Sequence, residues 1–131
     1  MACDRALAID KNHVAAWVNK GNALHLLKRY DEAVQAYEQA LTIDENDTDA
    51  WFCKGNALYG LERYEEAIKA YERALAIDEN DIDAWTNKGK ALHSLNRYKA
   101  AIQAYDRALA IDKDHVAAWV NKGRALRDIK R

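Results

Sequence analysis

The sequence predicts an all-α solenoid built from antiparallel helix pairs. Three observations predict it. The four tryptophans, Trp17, Trp51, Trp85 and Trp119, stand 34 residues apart. A glycine follows each one four residues later, at Gly21, Gly55, Gly89 and Gly123, and a leucine seven later, at Leu24, Leu58, Leu92 and Leu126. Tyr30, Ala33, Tyr37 and Ala40 return with the same period as Tyr64, Ala67, Tyr71 and Ala74, and again as Tyr98, Ala101, Tyr105 and Ala108. A fixed period of this length marks a stacked array rather than one globular core.

Residues 14–47 serve as repeat 1. In its first helix Ala16, Trp17, Lys20, Gly21, Ala23, Leu24 and Leu27 fall at helical spacing and define one face. Glycine inside a helix costs about 0.5–1 kcal/mol relative to alanine. Its return in every copy calls for a packing reason, either a closely approaching helix or room for an aromatic ring. Lys28-Arg29-Tyr30 is read as the short turn, with Asp31 as N-cap and Glu32 in the first turn of the second helix. That helix runs to about Ile43 with an apolar face of Ala33, Val34, Ala36, Tyr37, Ala40, Leu41 and Ile43. In the linker that follows, Asn46 and Asp47 favour a turn and a cap for the next helix. Each period is thus a helical hairpin that must stack on neighbours to bury its surface. The chain reads as a single repeat domain over 1–131. Residues 1–13 are a partial second helix of a preceding repeat, 14–47, 48–81 and 82–115 are repeats 1 to 3, and 116–131 is the first helix of repeat 4.

The ends carry the same text. Residues 3–22 match 105–124 at 17 of 20 positions, and 116–131 match 14–29 at 12 of 16. This pattern suggests a segment cut from a longer array. Ala6, Leu7 and Ile9 at one end, and Trp119, Leu126 and Ile129 at the other, lie on helices without partners. No polar cap is visible at either end, so end-to-end stacking into a weak homo-oligomer is one expectation.

Bulk composition excludes several classes. The net charge is −1, which argues against nucleic acid and against an anionic membrane as partner. No apolar run approaches the roughly 20 residues of a membrane span. Cys3 and Cys53 have no metal spacing and read as free thiols, which suits a cytoplasmic, reducing setting. His25 and His93 are two repeats apart, and His13 and His115 are placed in linkers, so no metal site is expected. The acidic linkers lack the glycine and the distal glutamate of a calcium loop. No phosphate loop, nucleophile motif or catalytic carboxylate pair is present, so neither a cofactor nor enzymatic activity is expected.

The skeleton Trp17, Lys20-Gly21, Leu24, Ala33, Tyr37, Ala40, with its returns, resembles the tetratricopeptide repeat over nearly the whole chain. The resemblance implies a right-handed superhelix whose concave wall is made by the first helix of each pair, and a scaffold for protein partners. Two positions depart from the family. The leucine before glycine is Lys20, Lys54, Lys88 and Lys122, and the linker proline is Glu45, Glu79 and Lys113. A lysine can lay its stem on the core and keep its amine in water; the alternative is a ladder of ligand-binding amines. Losing proline removes a helix stop, so a second helix could run on into the next repeat and favour domain swapping.

The family's groove positions fall at steps 2, 5, 6, 9, 12 and 13 of each repeat. Ten of the twelve aromatics belong to the repeat skeleton, and the two left over, Phe52 and Tyr59, share the groove face of one helix with Asn56 between them. Aromatic area, a hydroxyl and an amide able to pair with a peptide backbone make a plausible anchor. The competing reading is that both rings pack on neighbouring helices. The candidate peptide-binding residues are Asn22, Phe52, Cys53, Asn56, Tyr59, Asn87, Lys90 and Arg124. Some family members clamp the carboxylates of chaperone C-terminal tails. At the clamp positions counted from repeat 1 stand Val18, Asn22, Cys53, Asp83 and Asn87, of which only Asn22 fits; counted from repeat 2, only Asn56 and Asn87 fit. A chaperone tail is therefore not the expected ligand. The expected function is a scaffold for a peptide or partner protein, with structural self-assembly and an RNA-binding helical repeat as the alternatives.

Overall fold

The computed structural model describes residues 2–130, with side chains from residue 13 onward. The order is α1 (Ala2–Leu26), α2 (Tyr30–Ile43), α3 (Thr48–Gly60), α4 (Tyr64–Ile77), α5 (Ile82–Ser94), α6 (Tyr98–Ile111) and α7 (Val116–Ile129). No strand occurs among the described residues, and none of the helices there is long and apolar enough to cross a membrane. Each helix packs on the next. The odd-numbered helices also touch one another, while α2, α4 and α6 do not. The odd helices therefore form the inner, concave wall of an all-α solenoid.

With no proline and few glycines, the turns are made by ordinary residues. Lys28, Glu62 and Asn96 take φ near +60°. Each sits in a Schellman motif: Lys28 N donates to His25 O and Arg29 N to Leu24 O, with matching bonds at Glu62–Arg63 and Asn96–Arg97. In the longer linkers Asp44, Asp78 and Asp112 accept through Oδ1 from the backbone two residues on, each at 3.0 Å. Asp47 and Asp81 then cap α3 and α5, accepting from Ala50 N at 3.2 Å and Ala84 N at 3.1 Å.

Two local expectations are corrected. The N-cap of α2 is Arg29, not Asp31, and it makes no side-chain cap. The Schellman turn closes two residues earlier than a carboxylate cap at Asp31 would need, which leaves Asp31 inside the first turn, where it still favours the helix dipole. The second correction concerns His13, which lies inside α1 rather than in a linker; no break separates residues 2–13 from the first helix of repeat 1. Nearly the same four residues do break the chain at Asp112–His115, so local sequence does not decide this. There, α6 is held against α5 and the chain reverses, whereas at residues 10–13 the helix runs on, with no proline to stop it. One consequence is visible on α1. Ala16 and Ala23 are exposed, whereas their counterparts Ala50 and Ala57 are fully buried. The side chains of Cys3, Ala6, Leu7 and Ile9 lie outside the described residues.

The recurring glycine is explained by a ring. Tyr37, Tyr71 and Tyr105 are the largest fully buried side chains. Each lays its ring against the glycine of its partner helix; a Cβ at Gly21 or Gly55 would lie 2.5 Å from Cε1 of Tyr37 or Tyr71. Each tryptophan is placed by the linker before it. Trp51, Trp85 and Trp119 donate through Nε1 to the carbonyls of Glu45, Glu79 and Lys113 at 2.6–2.8 Å. The lysines that replace leucine cover these rings: Lys20, Lys54, Lys88 and Lys122 place Nζ 5.1–5.4 Å from the centroids of Trp17, Trp51, Trp85 and Trp119. Arg73 and Arg107 add a second cation over Trp51 and Trp85. Each lysine thus keeps its stem on the apolar surface and its charge over a ring.

Candidate functional site

The concave wall carries two adjoining cavities. One, of about 210 Å³, is lined by His25, Asn56, Tyr59, Tyr71, Asn87 and Lys90. The other, of about 260 Å³, is lined by Asn22, His25, Leu26, Tyr37, Cys53 and Asn56. His25 and Asn56 belong to both, so the two form one trough across α1, α3 and α5.

Its floor is a set of amide–phenol pairs. The Tyr37 hydroxyl donates to Asn22 Oδ1 and the Tyr71 hydroxyl to Asn56 Oδ1, both at 2.6 Å. Asn87 Nδ2 donates to the same Asn56 oxygen at 3.0 Å, which ties α5 to α3. With the oxygen of Asn56 taken twice, its Nδ2 is the group it offers a ligand. Burial pushes the phenols of Tyr37, Tyr71 and Tyr105 well above the ordinary tyrosine range, so they are neutral donors. Tyr59 stands half-buried at the trough edge, edge-on to Tyr64 at 5.2 Å, with Lys90 Nζ 5.4 Å from its centroid. His25 is placed likewise, edge-on to Tyr30 at 5.1 Å.

Of the residues singled out in the sequence, Asn22, Cys53, Asn56, Tyr59, Asn87 and Lys90 line the trough. Phe52 does not. It packs 6.0 Å from the Tyr71 ring and against the cluster of Ala74, Leu75 and Ala84. Its step of the repeat turns into the interface between successive hairpins, as Val18 and the buried Thr86 show at the same step. Arg124 is exposed on α7, one repeat beyond the two cavities, and lies near enough to Tyr105 to oppose the rise in its pKa. Burial, with the Asp49 carboxylate adding to it, pushes the Cys53 thiol up to about 11, so it is no nucleophile at neutral pH. His25, at a groove step of repeat 1, was not among the candidate residues, and the tyrosine hydroxyls were missed as site groups. The signal was available: asparagine stands 15 residues before the buried tyrosine in repeats 1 and 2, and His25 occupies the same step as Tyr59.

Among the described residues no group of three or more His, Cys, Asp and Glu side chains could hold a metal ion. His93 Nε2 and Asp128 Oδ2 are 2.6 Å apart and join α5 to α7.

Three family models match the chain. The tetratricopeptide repeat model matches residues 14–47 and 82–115, a second of the same description matches 36–69, and a TPR repeat model matches 55–96. Among solved structures, the Arabidopsis OM64 TPR domain superposes with a TM-score of 0.87 at 24% identity, covering 90% of this chain and 98% of that one. The first TPR of Spaghetti (RPAP3), bound to the HSP90 peptide SRMEEVD, gives 0.88 at 19% identity, over 92% and 95%. The second TPR domain of human RPAP3, in complex with the HSP70 peptide SGPTIEEVD, gives 0.85 at 19% identity, over 88% and 97%. No curated protein matches the sequence. Two of these similar domains hold chaperone tails, which is at odds with the expectation that such a tail is not the ligand.

Proposed function

The chain belongs to the tetratricopeptide repeat family, and from that premise we propose that it is a protein-interaction scaffold that takes an extended peptide in the trough across α1, α3 and α5. One observation carries this reading. Six side chains from three hairpins, His25, Asn56, Tyr59, Tyr71, Asn87 and Lys90, converge on a single concave cavity that combines an aromatic edge with amide and ammonium donors. A few fixed polar groups beside aromatic area are what a short segment needs for orientation and affinity. Asn56 is held by two hydrogen bonds and so presents its donor without reorganisation. The similar domains that hold peptides support the same class of ligand.

A peptide-array screen of the protein beside the Asn56→Ala/Tyr59→Ala double variant tests it. Peptides bound by the parent and lost in the variant are the expected result. Peptides bound equally by both would remove the trough as the site.

The self-association alternative has its own observation. On α7, Trp119 is 52% exposed, Leu126 42% and Ile129 39%. Sedimentation across a concentration range tests it, and a monomer throughout would end it.

A further inference from the structure

Because α2 and α4 do not touch, a groove runs between them on the outer side of the solenoid, floored by α3. It holds a cavity of about 410 Å³. Val34, Trp51, Leu58 and Ala70 give the cavity apolar surface. The rim is charged. Lys54 pairs with Glu38 at 3.6 Å and Arg63 with Glu66 at 2.5 Å, so those four charges cancel. Lys69 and Arg73 are left over on the α4 wall, at a spacing that makes them neighbours on one helix face. Both are exposed, and among the described residues neither joins an ion pair. Arg73 rests instead over Trp51, 5.1 Å from the ring centroid.

The other repeats supply the comparison. Over Trp17 the equivalent cavity has Gln35 and Gln39 where Lys69 and Arg73 stand, and it is lined by α1 and α2 alone. In repeat 3 the same two steps carry Gln103 and Arg107. Repeat 2 alone of the three sets two cations there. Glutamine at both steps of repeat 1 shows that a hairpin does not need these charges to fold.

We propose that this outer groove binds a small amphipathic carboxylate, a compact apolar body bearing one anionic group. The body covers Val34, Leu58 and Ala70. Arg73 holds the carboxylate through paired N–H donors, and Lys69 adds a second charge. Size selects a compact ligand over a partner helix. One helical turn, about 11 Å wide and about 5.4 Å tall, occupies roughly 500 Å³, more than the whole cavity. A volume of about 410 Å³ lies within the range of small-molecule sites. The groove is separate from the concave trough, so this site and the peptide reading stand or fall independently.

The test is an NMR titration of the whole chain with naphthalene-2-carboxylate, read at the Nε–H signals of the four tryptophans. Naphthalene-2-carboxamide and acetate are the controls. Saturable shifts led by Trp51, and far weaker ones with either control, are the expected result. Lys69→Gln/Arg73→Gln gives the groove the residues of repeat 1. It should keep its melting temperature and bind the carboxylate about tenfold more weakly, as loss of a charged hydrogen bond does. In the parent protein, raising salt from about 0.01 M to about 0.1 M shortens the screening length from about 30 Å to about 10 Å, and should weaken the carboxylate but not the carboxamide. The salt series needs no variant, so it decides the matter even if the double substitution disturbs α4. Silence at Trp51, equal shifts from the carboxamide, shifts led by the exposed Trp119, or an affinity unchanged by salt or by the folded double variant would each overturn the site.

Discussion

Gly55 lies flat against the ring of Tyr71, and a Cβ at that position would sit 2.5 Å from Tyr71 Cε1. The contact is with the body of a fully buried ring, which has no free volume to retreat into. Gly55→Ala should therefore destabilise the protein by about 1–3 kcal/mol, the usual cost of overpacking. Gly123 is the control. Nothing lies within 4 Å of its would-be Cβ, so Gly123→Ala should stabilise α7 by about 0.5–1 kcal/mol through helix propensity alone. Urea titrations of the two variants check both signs, and a loss at Gly123 as large as at Gly55 would refute the packing account.

The three hairpin turns hold non-glycine residues in left-handed backbone. For residues with a Cβ this conformation costs about 1–2 kcal/mol, less for asparagine. Glu62→Gly and Lys28→Gly should each raise stability by up to about 1 kcal/mol, and Asn96→Gly by less. The gain is offset in part by the extra freedom of glycine in the unfolded chain. A thermal melt in which Asn96→Gly gained most would contradict the ranking.

Much of this architecture was legible in advance, because it is written in a period. Trp, Gly and the two Tyr positions repeat at one spacing, and a helix boundary is fixed whenever the pattern restarts. Boundaries set by backbone hydrogen bonds were harder to read. The Schellman turn at Lys28 moved the cap of α2 from Asp31 to Arg29, since a left-handed lysine has no signature in sequence. The run of α1 through residues 10–13 was invisible because nearly identical residues break the chain at 112–115. At the site, Asn56 and Tyr59 were found by counting residues outside the skeleton. Phe52 was found the same way and faces inward, because helical spacing alone does not tell a groove wall from the seam between two hairpins.

The amide–phenol floor makes unequal demands on its tyrosines. Tyr71→Phe removes a 2.6 Å bond and leaves Asn56 with Asn87 as its one described partner, so it should destabilise by about 1 kcal/mol. Tyr105→Phe removes a buried hydroxyl that has no partner, and should be neutral or stabilising in the ligand-free protein. Chemical denaturation of the two variants side by side is the check. A larger loss at Tyr105 than at Tyr71 would mean that its hydroxyl is satisfied within the fold.

Alkaline pH should unfold the protein in an ordered way. Burial raises the Cys53 thiol from 9.0 to about 11 in the fold, and raises Tyr37, Tyr71 and Tyr105 above their ordinary 10.0. For each of these groups the folded state holds its proton to a higher pH than the unfolded state does. The unfolded chain then binds fewer protons, and stability falls as pH rises. The window opens at about pH 9 for the thiol, whose contribution to the slope ends near its folded value, and at about pH 10 for the phenols. Melting temperatures followed by circular dichroism should be level from pH 7 to about 8.5, then fall with steepening slope. Cys53→Ala should delay the onset to about pH 10 and leave the steeper part in place, because the phenols that cause it are untouched. A melting temperature that stayed level to pH 10.5 would show that these side chains are not buried as they are here.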